Sequence, residues 1–174
     1  MSGRDAVTTA APVPARRARW ATAGAFGAQG VAYALVLTTL PAFEERYWVG
    51  TGQITVVILL VCVMAALGTV VADRLARGRG GSRAALMLGL TALVVALAGA
   101  SAAPAFGPAV VGFLVYGLGL GLVDAGANMQ AVAVQRAYGR SLLASFHSAF
   151  SAAGIVGSVL VAVTSGHWAV QPVM

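Results

Sequence analysis

Apolar positions in this chain do not alternate with polar ones at the strand or the helical period; they run on almost without interruption. Charged residues leave four uncharged stretches, at 20–43, 47–72, 84–123 and 141–174. A helix needs about 20 apolar residues to cross a hydrocarbon core roughly 30 Å thick. The first two stretches therefore give one span each, and the third holds a span, a turn at residues 104–108 and the start of another. The pattern predicts helices over about 20–43, 52–72, 84–103, 109–134 and 142–165. The buried helices of a water-soluble core would show polar faces at helical spacing, and the first three segments show none. The expected fold class is all-α, a polytopic transmembrane helical bundle of five spans. Residues 1–19 form a cytoplasmic N-terminal tail, 20–165 the transmembrane domain and 166–174 an extracytoplasmic tail.

Composition agrees: 59% of the 174 residues are hydrophobic and 9% charged, against roughly 25% charged in soluble domains. The net charge of +6 comes from eleven Arg and no Lys, which in a soluble chain would point to nucleic acid. The distribution points to topology instead, and no nucleic-acid partner is expected. Arg4, Arg16, Arg17 and Arg19 precede the first span, Arg74, Arg77, Arg79 and Arg83 lie between the second and third, and Arg136 and Arg140 between the fourth and fifth. With five spans these segments share one side, and only Arg46 falls on the other, so ten of eleven Arg obey the positive-inside bias. The chain is expected in the cell (inner) membrane with its N-terminus cytoplasmic and its C-terminus outside. Asp5, Pro12 and Pro14, followed by an overlong apolar run, argue against a cleaved signal peptide. Cys62 is the single cysteine, so neither an intrachain disulfide nor a thiolate metal cluster is expected. No metal site or cofactor is predicted.

Polar groups inside spans are costly and mark function. At 100° per residue, Gly117, Gly121, Asp124, Asn128 and Gln135 form one stripe on the fourth helix, which must face protein or water. The glycines would let a neighbouring helix approach closely. Asp124 and Asn128, four residues apart, can hold one ligand or bond each other, and Asp124 is the candidate proton carrier. His147, Ser151, Gly154, Ser158 and Ser165 share one face of the fifth helix, and Gln29 and Tyr33 are neighbours on the first. The substrate and proton pathway is accordingly expected to involve Asp124, Asn128, Gln29, Tyr33, His147 and Ser151, lining a polar passage between helices one, four and five. An intramembrane enzyme using Asp124 and His147 is the weaker alternative. The chain has no second carboxylate inside a span, no His/Glu pair at metal spacing and no Gly-x-Ser-x-Gly nucleophile motif.

The loop Ala72-Asp73-Arg74-Leu75-Ala76-Arg77 resembles the signature loop of the major facilitator superfamily, with Thr69 and Ala76 where that family usually places Gly. The run from Gly117 through Asp124 to Asn128, followed by Gly139-Arg140 and by Phe146-His147-Ser148-Ala149-Phe150-Ser151, resembles the fucose-permease-like branch, as does Pro41 closing the first helix. The resemblance covers residues 20–165 and corresponds to an N-terminal portion, an incomplete first six-helix half. It implies that Asp124 and Asn128 lie in a translocation pathway and that Asp73, Arg74 and Arg77 belong to a gating loop. It also implies a proton-coupled secondary transporter for a sugar or other small solute, alternating access between two halves. The expected partners are the solute, protons and the lipid bilayer, with a complementary transporter half or self-association. The alternative is a truncated, transport-inactive fragment of such a transporter.

Overall fold

The computed structural model describes residues 13–168, with side chains described over 15–164. It contains five helices: α1 (Val13–Tyr47), α2 (Thr51–Ala76), α3 (Gly81–Ala102), α4 (Phe106–Tyr138) and α5 (Leu143–Trp168). All five are long and apolar enough to cross a membrane, and no strand occurs among the described residues. The protein is a multi-pass membrane protein. The expected tail over 166–174 falls mostly outside the described residues.

α1 differs from its expected bounds at both ends. It begins at Val13 rather than near residue 20, so Arg16, Arg17 and Arg19 lie on its opening turns. Arginine and alanine are good helix formers, and Pro14 falls in the first turn, where a missing N–H leaves no hydrogen bond unmade. At the other end Pro41 does not close the helix, which continues to Tyr47. A proline near a helix end removes one hydrogen bond, here to the Leu37 carbonyl, without breaking the segment. One turn before Pro41, Thr38 Oγ1 donates to the Ala34 carbonyl at 2.7 Å and Thr39 Oγ1 to the Leu35 carbonyl at 2.6 Å. Trp20 and Trp48, 72% and 94% exposed, bracket the apolar part of α1. At 1.5 Å per residue they stand about 40 Å apart, the full thickness of a bilayer with its headgroups, where indole rings settle.

α4 is the hub, packed against α2 on one side and α3 on the other, while α1 lies along α5 and crosses α4. Lipid tails are as apolar as leucine, so contact between such helices depends on close packing of backbones rather than on expulsion of water. The glycines of α4 make that contact possible. A Cβ at Gly121 would run into the Ala65 carbonyl of α2, and one at Gly117 would come within 2.6 Å of the Val61 carbonyl oxygen. Gly112, Gly119 and Gly126 face α3 in the same way, against Ala100, Ala92 and Leu86. Small residues thus line two faces of α4. Large apolar side chains turn outward on the other helices, among them Leu59 and Val63 on α2 and Ile155 and Leu160 on α5.

The links are short. α4 ends at Gly139, whose φ of 63° is the left-handed conformation that glycine adopts without strain. Gln135 Oε1 accepts from the Leu142 backbone N–H at 3.1 Å, serving one donor that a helix start leaves without an intrahelical partner. Phe146 then stacks on Phe26 of α1 with ring centroids 5.8 Å apart. At the opposite end Arg46 donates to the carbonyls of Ser101 at 2.8 Å and Ala103 at 3.0 Å, and Tyr47 Oη also donates to Ala103 at 2.9 Å. The end of α1 therefore clasps the end of α3.

Candidate functional site

The polar stripe read on α4 divides in two. Gly117 and Gly121 are buried beneath α2, whereas Asp124 is exposed and Asn128 half-buried. Gln135, at the end of the stripe, is occupied with the start of α5. The two functions of the stripe, close packing and polar lining, fall to different residues because α2 reaches only one end of it.

Asp124 has partners on two helices. Gln29 Nε2 of α1 donates to its Oδ1 at 3.3 Å. Asn128 Nδ2 donates to the Asp124 backbone carbonyl at 2.9 Å and to Oδ1 at 3.4 Å. Gln29 is 6% exposed and its Oε1 is buried with no hydrogen-bond partner among the described residues. An unpaired buried acceptor costs about 1–3 kcal/mol, so the amide is held against the carboxylate at some expense to itself. Close by, Tyr116 Oη of α4 donates to the Ala32 carbonyl of α1 at 3.3 Å, fixing the same pair of helices. Gln29 and Asp124 both lie near the middle of their helices, the level at which a bilayer is driest.

Above Asp124 a cavity of about 280 Å³ is lined by Gln29, Tyr33, Ala65, Thr69, Asp124 and Phe150, among others. Tyr33 and Phe150 put their ring centroids 6.2 Å apart at its side. The passage expected between helices one, four and five is therefore bounded by α1, α2 and α4, and α5 contributes Phe150 rather than its polar face. Ser151 lines a separate groove between α1 and α5 with Tyr33, Gly154 and Ser158. His147 is exposed and packs edge-on against Phe26 at 5.2 Å, away from the cavity. α5 lies directly on α1 here, the backbones of Phe150 and Gly30 meeting where a side chain at residue 30 would collide. Ser165 has no described side chain.

Ala65 and Ala66 of α2 are lining residues that the sequence did not single out, and Thr69 entered there only as a position where the resembled family places Gly. The small pair Ala65 and Ala66, three and two residues before the close-packing Gly68, is the signal that α2 lies near a partner there.

Asp73 lies within α2 rather than in a loop, and Arg77 is the residue that ends that helix. Arg77 pairs with Asp73 at 2.6 Å across one turn, with both side chains largely exposed. Gly68, one residue before Thr69, supplies the close approach to α4 at Leu118 and Gly121. Among the described residues no three His, Cys, Asp or Glu side chains come together to hold a metal.

No protein-family profile and no solved structure matches the chain. A stretch of 48 residues is 44% identical to an uncharacterized MFS-type transporter of Yersinia pestis, covering 28% of this chain and 12% of that relative. The chain is thus a bundle of membrane-spanning helices that is similar, over part of its length, to a transporter of the major facilitator type.

Proposed function

We propose that this chain is part of a proton-coupled secondary transporter of the major facilitator superfamily, in its fucose-permease-like branch, and that it moves a sugar or another small solute across the inner membrane. The observation that carries the reading is the Gln29–Asp124 hydrogen bond, which ties α1 to α4 at the edge of a cavity near mid-membrane. A lone carboxylate at that depth is expensive to keep, and such groups mark proton and solute pathways. An enzyme is the poorer reading, since a transporter is what the matched stretch resembles. In this proposal Asp124 binds and releases the proton, Gln29 and Asn128 hold it in place, and Tyr33 forms the wall. Asp73, Arg74 and Arg77 gate the cytoplasmic end, with the N-terminus cytoplasmic and the C-terminus outside. The open side of Asp124 is completed by a complementary transporter half or by a second copy.

The test is uptake of a panel of sugars and small solutes into vesicles carrying the chain, driven by an imposed proton gradient, with Asp124→Asn beside it. Uptake that the substitution abolishes supports the reading. Folded protein that moves nothing in the panel identifies the alternative, a transport-inactive fragment of such a transporter.

A further inference from the structure

Resting on the reading of this cleft as a transport site, a second cavity narrows the class of solute. It adjoins the first, shares Tyr33, Ala65 and Leu120 with it, and is lined by Leu37, Val57, Val61 and Phe113 among other apolar residues, with no charged side chain. The two adjoining cavities make a cleft with an apolar end and a polar end, and among the described residues its only charged lining residue is Asp124.

The hydrogen-bonding groups at the polar end are unbalanced. Gln29 Nε2 and Asn128 Nδ2 both donate to Asp124, and Thr69 Oγ1 donates to the Ala65 carbonyl at 3.1 Å. These donors are engaged within the protein, while the carboxylate of Asp124 stands exposed with no arginine or histidine lining the cleft beside it among the described residues. A wall of this kind attracts a hydrogen-bond donor that carries positive charge. Tyr33 and Phe150, on the same wall, offer ring faces that attract a cation as well.

We infer that the cleft takes an amphipathic organic amine, its ammonium group at Asp124 beside the Tyr33 and Phe150 rings and its apolar body against Leu37, Val57 and Val61. The ammonium supplies a counter-charge to Asp124, and the apolar body lies against the mainly aliphatic side chains of the second cavity.

The test is equilibrium binding to the purified full chain in lipid nanodiscs, with 4-phenylbutylamine as probe, 4-phenylbutanol as its neutral isostere and glucose as the polyol. Empty nanodiscs correct for partition into lipid. The expected result is amine binding at least about tenfold tighter than that of the alcohol. It is lost in Asp124→Asn and weakened several-fold in Leu37→Asn, with both variants keeping the helical circular dichroism and monodispersity of the parent. Equal binding of amine and alcohol, amine binding unchanged in Asp124→Asn, or glucose binding in preference to the amine overturns the inference. The transport reading fails separately: proton-driven glucose uptake without amine binding overturns the inference and leaves transport standing. Selective amine binding without uptake of any solute supports the inference and removes transport.

Discussion

Gln29 and Asp124, 95 residues apart in sequence, meet across the α1–α4 contact with Nε2 3.3 Å from Oδ1. Gln29 keeps its own Oε1 buried and unpaired in doing so. An amide held this way fixes where the carboxylate sits. Gln29→Leu, close in volume and without the donor, should therefore leave the bundle folded, with a stability change of about 1 kcal/mol in either direction. Proton-driven uptake should fall in this variant and vanish in Asp124→Asn. Vesicle uptake read beside thermal unfolding in detergent separates the two effects, and wild-type uptake in both variants would remove Asp124 from the pathway.

Close packing of α4 predicts a contrast between glycines. A methyl group at Gly121 would collide with the Ala65 carbonyl, whereas one at Gly99 meets nothing within 4 Å. Gly121→Ala should lower the unfolding midpoint by several degrees and reduce the yield of folded protein. Gly99→Ala should be neutral or stabilising by up to about 1 kcal/mol through helix propensity. Equal midpoints for the two variants would mean that α2 and α4 are not in backbone contact.

The clasp formed by Arg46 depends on its fork of donors. Its two terminal nitrogens reach separate carbonyls, Ser101 and Ala103, which a single ammonium group cannot imitate. Arg46→Lys should recover only part of the stability lost in Arg46→Ala, a loss of about 1 kcal/mol. Thermal unfolding of the three proteins gives the ranking.

Asp73 and Arg77 form an exposed ion pair one helical turn apart, and such pairs contribute about 0.3–0.5 kcal/mol. Arg77→Ala should therefore leave the unfolding midpoint nearly unchanged. If the segment gates transport, uptake should fall all the same, and intact uptake would assign the pair to the helix end alone.

The orientation can be read with an impermeant maleimide on intact cells, after Cys62→Ser removes the native thiol. A cysteine introduced at Arg79 should stay unlabelled until the membrane is opened, and one at Glu45 should label at once. The reverse pattern would place the arginine-rich links outside.

The helices were legible in the sequence because the bilayer sets a single simple requirement, about 20 residues without charge. That requirement gave five spans, and the structure moved their ends by a few residues and carried α1 through Pro41. Asp124 and Asn128 could also be found, since a carboxylate in a span is conspicuous and i,i+4 neighbours follow from helical geometry. Their partners across the bundle could not. Periodicity says which residues share a face but not which helix that face meets, because these helices are mostly apolar and nothing in the pattern of one selects its neighbour. Only the packed bundle decided that α2 covers Gly117 and Gly121, that Gln29 rather than His147 reaches Asp124, and that Phe150 enters the cleft while Ser151 turns away. The choice rests on how closely backbones can approach at small residues, which is a property of pairs of helices and not of any one of them.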